Sequence, residues 1–305
     1  MYKKVKPLFL HCQTPLHAGI GNDLGIVDLP IQREKHTGFP KIEASSLKGS
    51  IREAFEEKTS DDSDKIIIHK TFGFDKDGVS DAIKKEFKDR EEFSGCLGFS
   101  DARLLLFPVK SMKGVFAWIT CPLILEKFKS EMEMCGIKDI PNLPNESSTP
   151  TNCSLFIGNT GNIVLEEYTF KIHNKDNKNT SDSGNWIASN VIADKFSKEK
   201  IKTDLVILSN DDFRDFVNLS TEVITRTKID NKTGTVVPGA LFTEEYLPTE
   251  SIMYSLIFVS DEFKKDGLKS DKVEEFLSEM ISKNEIMQIG GNASLGKGIV
   301  RTKLL

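Results

Sequence analysis

The chain has 305 residues, 38% hydrophobic and 29% charged. That balance suits a water-soluble globular protein with a sizeable core and excludes a disordered or fibrous one. Its apolar runs are as short as Leu205-Val206-Ile207-Leu208, far below the roughly 20 residues that span a bilayer, so no membrane association is expected.

The net charge of −5 does not advertise nucleic acid, but it is unevenly spread. Residues 1–60 hold nine Lys/Arg against seven Asp/Glu, and residues 281–305 hold four against one. Mildly basic ends around an acidic middle suit a protein that binds RNA on one face and protein elsewhere, and suit many others too. Cys12, Cys96, Cys121, Cys135 and Cys153 form no C-x-x-C pair and are odd in number. That argues for incidental buried thiols rather than a zinc site or disulfide framework. Met1-Tyr2-Lys3-Lys4 has the charge of a leader's first segment, yet His11 and Gln13 break the apolar stretch after Pro7 too soon. A cytoplasmic location is expected.

In chain order, Val5 to Gln13 reads as a first strand, followed by a polar, glycine-rich loop from His17 to about Pro40. Ser45-Ser46 offer an N-cap, and Leu47, Ile51, Ala54 and Phe55 recur at helical spacing, so 46–58 reads as an amphipathic helix. Residues 59–96 are charged and partly helical. Ala102 to Val109 and Val115 to Thr120 read as strands joined at Lys113-Gly114, and Pro122 opens a helix to about Gly136. The stretch 139–190, rich in Asn, Ser, Thr and Pro with a few strand-like patches such as Ile163-Val164-Leu165, reads as an insertion with long loops. A short helix over 195–202, a buried strand at Leu205 to Leu208 and a helical turn or two at Asp211 to Val217 follow. Thr221 to Lys228 alternates like a strand, Asn231 to Gly234 carries turn chemistry, and Phe242 to Tyr246 and Ile252 to Val259 are further strands. Residues 271–283 form a helix with Val273, Phe276, Leu277 and Met280 on one face; a glycine-rich loop and a last strand close the sequence at Ile289 to Arg301. Strands interleaved with two principal helices, repeated twice, predict an α+β fold, for which split β-α-β units of the ferredoxin or RRM type are a natural fit.

Four blocks carry a resemblance. The first runs from Pro15-Leu16-His17-Ala18-Gly19 through Gly25-Ile26-Val27-Asp28-Leu29-Pro30 to Gly38-Phe39-Pro40, with Ser45-Ser46-Leu47-Lys48-Gly49-Ser50-Ile51-Arg52 behind it. The others are Phe99 to Val109, Thr235 to Pro248, and Gly290-Gly291-Asn292-Ala293-Ser294-Leu295-Gly296-Lys297-Gly298. In these the chain resembles the backbone endoribonuclease subunits of type III-B CRISPR Cmr effector complexes, in the RAMP superfamily. The similarity runs from about residue 7 to 301 and is weak over 139–190. The first block is specific; the glycine-rich ending is generic to RAMP proteins.

The resemblance implies a single RAMP domain over 1–305, a modified ferredoxin-like or RRM-like fold with a large insertion at about 139–190 and a β-hairpin thumb at about 229–250. It implies copies stacked head to tail along a guide CRISPR RNA, with other Cmr subunits as partners. Target single-stranded RNA would be cut at a regular interval with Mg²⁺ or another divalent cation. A non-catalytic RNA-binding backbone subunit and a metal-independent guide-processing ribonuclease are the alternatives.

Asp28 matches the family's catalytic aspartate, as base or as metal ligand; on its residues alone, an Asp before Leu29-Pro30 is a turn residue. Mg²⁺ keeps several waters and takes only one or two protein carboxylates, so a single Asp suffices. His17 is either a proton shuttle or a structural hydrogen-bonder at the end of the first strand. Glu244 and Tyr246 are assistants to cleavage by resemblance, and a strand with a solvated face by residue type. Lys48 and Arg52, spaced i, i+4 after Ser46, share one helix face that either holds guide phosphates or is simply solvated. His36 is an RNA contact or a structural residue. Gly291, Gly296, Lys297 and Gly298 let a backbone approach RNA closely or form a tight turn; Gly298 after Lys297 breaks the phosphate-loop pattern of nucleotide hydrolases. Val236, Leu241 and Phe242 either wedge between RNA bases or pack on the hairpin's own core.

Overall fold

Leu8, Phe9 and Leu10 are all buried because the strand they form, β1 (Lys4–Cys12), runs inside a sheet with neighbours on both edges. The structure is a computed structural model that describes residues 2–22, 25–76, 79–87, 92–173 and 178–305. The loop after β1 leads to β2 (Lys41–Ile42) and α1 (Ala44–Lys58). Leu47, Ile51 and Phe55 form the buried stripe of α1, as their spacing predicts. Ser45 and Ser46 do not cap it. Both lie exposed in its first turn, and the carboxylate of Asp101, distant in sequence, accepts from Ala44 N at 2.9 Å instead.

The charged stretch that follows folds as α2 (Asp62–Phe72), β3 (Gly73–Asp75), α3 (Asp81–Phe87), β4 (Glu92–Ser94) and β5 (Leu97–Phe99). Next come β6 (Ala102–Ser111) and β7 (Val115–Thr120), an antiparallel pair turning at Lys113-Gly114, then α4 (Pro122–Met134) with its proline in the first turn. The stretch 139–190 is more ordered than its composition predicts. It contains the paired strands β8 (Asn162–Leu165) and β9 (Tyr168–Lys171) and the helix α5 (Lys178–Asn190). Poor helix formers make up much of α5, but its Trp186, Ile187 and Ala188 are buried, and tertiary packing overrides propensity.

The remaining elements are α6 (Lys195–Ile201), β10 (Leu205–Ile207), α7 (Asn210–Leu219), β11 (Glu222–Ile229), β12 (Val236–Tyr246), β13 (Ile252–Val259), α8 (Ser270–Lys283), β14 (Ile286–Gln288), a 3₁₀ turn at Ala293–Leu295 and β15 (Ile299–Leu304). The main path of the large sheet is β10-β7-β6-β13-β1-β15-β14, antiparallel except for β10 against β7.

Strand alternation sorts the helices onto the sheet's two faces. Lys4 and Lys6 point their ammonium groups at Glu274 of α8. Phe9, of opposite parity, packs on Phe128 of α4, which in turn meets Trp186 of α5 and Tyr254 of β13. The five cysteines are free thiols. Among the described residues no helix is long and apolar enough to cross a membrane.

β11 and β12 form a two-stranded antiparallel sheet of their own, a hairpin whose first arm begins at Glu222, and a single backbone bridge joins Glu244 to Leu29. Its tip is tied by Gly234 N donating to Asp230 O at 2.8 Å and Lys232 N donating to the Asp230 carboxylate at 2.7 Å.

Candidate active site at the root of the hairpin

β12 leaves the hairpin and enters the body of the protein over Thr243 to Tyr246, and most of the predicted chemistry converges there. The glycine-rich loop after β1 comes back along this root. Leu29 N donates to Thr243 O at 3.0 Å and Glu245 N to Leu29 O at 3.0 Å, while Leu16 and Leu247 exchange both of their backbone bonds at 2.9 and 2.8 Å.

Asp28 sits exposed where the loop meets the root. Thr243 N donates to Asp28 Oδ2 at 2.7 Å and Thr243 Oγ1 donates to the same oxygen at 2.9 Å. These bonds from the Thr243 backbone and side chain hold the carboxyl below its ordinary range, so it is ionised at neutral pH.

The opposite face of β12 carries Glu244 and Tyr246. Neither is solvated, which corrects the exposed-face expectation: Glu244 is 4% exposed and Tyr246 fully buried. Tyr246 OH donates to Glu244 Oε2 at 2.5 Å, and Asn292 Nδ2 reaches Glu244 Oε1 at 2.6 Å and Tyr246 OH at 3.0 Å. Arg226, from β11, places Nε 2.8 Å from Glu244 Oε2 and bonds the Tyr246 hydroxyl. Burial pushes the Glu244 carboxyl up, but the hydrogen bonds from Tyr246 and Asn292 and the charges of His17 and Arg226 outweigh it and leave it below its usual range. Burial and the bond to Glu244 push the Tyr246 phenol up to about 12, so it keeps its proton.

His17 closes the cluster. Its Nδ1 lies 2.7 Å from Glu245 O, which can only accept, so Nδ1 carries the proton; Nε2 lies 3.6 Å from Glu244 Oε1. The ring is 5.5 Å from that of Tyr246. Gly290 is needed against it: its φ is +82° and a Cβ there would sit 2.3 Å from His17 O.

The glycine-rich ending wraps this cluster. Gly291 N donates to His17 O at 2.8 Å and Gly298 N to Pro15 O at 2.9 Å, while a Cβ on Gly296 would meet open space. Lys297 lies with Nζ 4.9 Å from the centre of the Tyr246 ring.

The other candidates are placed elsewhere. Lys48 and Arg52 are half-buried rather than on a free face: Lys48 Nζ donates to Leu97 O at 3.1 Å, and Arg52 Nε to Glu56 at 2.7 Å. Ser46 and His36 are exposed, and His36 Nε2 is 3.8 Å from Glu34. Val236 and Leu241 are exposed on the hairpin and Phe242 is half-buried.

Sequence reasoning missed Thr243, Arg226, Asn292, Arg33 and Glu245. Thr243 and Glu245 alternate with the predicted pair Glu244 and Tyr246, and that alternation was the signal available. Among the described residues no group of three or more His, Cys, Asp or Glu side chains could hold a metal ion. Asp28 nevertheless fits an ion held mainly by water and phosphate: it is exposed and ionised, and both Thr243 bonds to its carboxylate fall on Oδ2.

The chain matches the RAMP superfamily over residues 9–301. A Pyrococcus furiosus protein named CRISPR system Cmr endoribonuclease Cmr4 is 37% identical over 295 residues, covering 97% of this chain and 94% of the relative. The crystal structure of oligomeric Cmr4 from Pyrococcus furiosus superposes with a TM-score of 0.70 at 32% identity, covering 99% of this chain and 97% of that one. A chain in the cryo-EM structure of the type III-B Cmr-beta complex bound to cognate target RNA superposes with a TM-score of 0.71 at 22% identity, covering 99% and 98%; that last likeness is one of fold.

Proposed function

The chain belongs to the RAMP superfamily, and from that premise we propose that it is a backbone subunit of a type III-B CRISPR Cmr effector complex that binds guide RNA and cleaves the target RNA paired with it. The observation that carries this reading is its end-to-end relationship to a named Cmr endoribonuclease. Its partners are then guide CRISPR RNA, target RNA, further copies of itself and other Cmr subunits, and its working place is the cytoplasm.

In this reading Asp28 is the carboxylate at the scissile phosphate. Already ionised, it accepts a hydrogen bond from the 2′-hydroxyl and orients it. It is also the residue that would hold a divalent cation. Such an ion, when bound, offsets the charge that develops on the phosphate and the departing oxygen.

Glu244 and Tyr246 then act as a fixed electrostatic wall rather than as a proton donor and acceptor. The Tyr246 proton is committed to Glu244, and the Glu244 oxygens are taken by Tyr246 and Asn292. His17 Nε2 faces this wall, 3.6 Å from Glu244 Oε1. Lys297 over Tyr246 adds a cation beside the RNA path.

The test is the assembled complex with labelled guide-matched RNA, with and without Mg²⁺. Evenly spaced products that vanish on chelation are expected. Binding without cleavage in every divalent cation tried would favour a non-catalytic backbone subunit.

A further inference from the structure

Asp28 and Thr243 are 215 residues apart in sequence and joined by a dense set of bonds. The Thr243 hydroxyl accepts from Asp28 N at 3.0 Å and donates to Asp28 Oδ2 at 2.9 Å. The Thr243 amide donates to the same oxygen at 2.7 Å, and the Thr243 carbonyl accepts from Leu29 N at 3.0 Å. Among the described residues just before Asp28, 25–28 form no helix or strand, and Ile26 is wholly exposed. Holding a side chain of such a loop in one rotamer costs conformational entropy, which bonds from a rigid strand offset.

Thr243 also belongs to an arm of the projecting hairpin. Residues 243 and 245 share one face of β12, and both are turned to the loop: Thr243 to Asp28, Glu245 to Ile31 N at 3.0 Å and Arg33 at 2.6 Å. The loop is therefore registered against the hairpin and not only against the sheet.

We infer that Thr243 is a positioning residue for cleavage: its hydroxyl locks the Asp28 carboxylate in its working orientation and makes that orientation follow the hairpin arm. This rests on the reading of Asp28 as the cleavage carboxylate. Serine keeps the hydroxyl. Valine keeps the shape and the backbone amide and loses the hydroxyl, so the loop stays docked while its carboxylate is released on one side.

The experiment compares Thr243→Val, Thr243→Ser and Asp28→Asn in the reconstituted complex with guide-matched RNA and Mg²⁺. Assembly is followed by size-exclusion chromatography, and cleavage rates are measured at neutral pH. Thr243→Val is expected to cut roughly 10- to 100-fold more slowly, the scale of a modest misplacement, with RNA affinity and product spacing unchanged. Thr243→Ser restores most of the rate, and Asp28→Asn is inactive. Thr243→Ala, which also lacks the hydroxyl, substitutes for Val if that variant does not assemble.

A wild-type rate in Thr243→Val, beside an inactive Asp28→Asn, would overturn the role of Thr243 alone. Equal slowing by Val and Ser would also overturn it, since shape and not the hydroxyl would then matter. Full activity in Asp28→Asn would remove the catalytic reading of Asp28, and this inference with it.

Discussion

Arg33 donates to the buried carboxylate of Glu245 at 2.6 Å, and through its other terminal nitrogen to Gly38 O at 2.8 Å and Val217 O at 3.0 Å. One side chain thus ties the Asp28 loop to β12 and to the last turn of α7. Glu245 is further held by Thr221 Oγ1 at 2.7 Å. Removing one partner of a buried pair costs about 3–5 kcal/mol. Arg33 keeps 22% of its side chain exposed, so the lower end applies. Arg33→Met is expected to lower the urea midpoint of the isolated chain by the equivalent of about 3 kcal/mol, and Glu245→Gln to lower it as well, because its single amide oxygen cannot accept from both Ile31 N and Thr221, which donate to different oxygens of Glu245. A midpoint unmoved by Arg33→Met would show that the loop is held by its backbone bonds alone.

His69 lies buried beside the guanidinium of Arg52, whose Nη2 is 3.0 Å from its Nδ1. Burial and the Arg52 charge hold its pKa below the ordinary 6.5. The unfolded chain therefore binds a proton there that the folded chain refuses, and stability rises with pH wherever that difference exists. The contribution is present above pH 6.5 and is lost as pH falls through the depressed folded value. Urea midpoints are expected to drop from pH 7 to about pH 5, above the range in which ordinary carboxyls titrate. In His69→Gln the drop should shrink. An equal drop in that variant would assign the acid sensitivity to other groups.

The helix face of Lys48 and Arg52 serves the fold as well as any RNA. Burial lowers the pKa of Lys48, whose ammonium donates to Leu97 O, and Arg52 is shared between Glu56 and His69. The proposal that both hold guide phosphates is testable through salt. Replacing both by Ala should weaken binding to unrelated guides equally and flatten the log–log salt dependence by roughly one unit for two lost single-strand contacts. An unchanged slope with a lowered urea midpoint would assign the pair to the fold alone.

Much of this architecture was legible because it is local. The stripe of Leu47, Ile51 and Phe55, the Lys113-Gly114 turn and the apolar face of 271–283 announce α1, the β6–β7 hairpin and α8 through spacing alone. The helix α5 was hidden by its Asn and Ser content, because what holds it is the core it packs on. The cap of α1 was misread for a related reason: two serines stood at the expected place, while the acceptor in use is Asp101. At the site, Asp28, His17, Glu244 and Tyr246 came from a motif. Thr243, Arg33, Glu245, Arg226 and Asn292 act through contacts that close only when β12 meets the loop after β1 and the glycine-rich ending. Spacing within one segment says nothing about such pairings.

The hairpin beyond this root offers a last prediction. Val223, Ile229, Val236 and Leu241 are large apolar residues that it leaves about half or more exposed. A two-stranded ribbon pairing with no other sheet gains little stability by itself. Exposed apolar surface on such a ribbon suits a partner surface such as stacked bases, which a wedge can part at a cost of a few kcal/mol. The register suggests where to cut. Arg226 faces Phe242 and Thr227 faces Leu241, then the pairing shifts before Ile229 meets Val236. Replacing 228–240 by a Gly-Ser turn removes Ile229 and Val236 while keeping Arg226 and Thr243 to Tyr246 in their contacts. The isolated chain should then fold with nearly its original urea midpoint, and the complex should assemble. If the hairpin of one copy splays the RNA held by its neighbour, the regular product ladder disappears although Asp28 is intact, because the 2′-hydroxyl is no longer in line with its phosphate. Ladders from intact and shortened complexes at matched Mg²⁺ decide the matter. An identical ladder from the shortened protein would place the spacing of the cuts in the body of the domain.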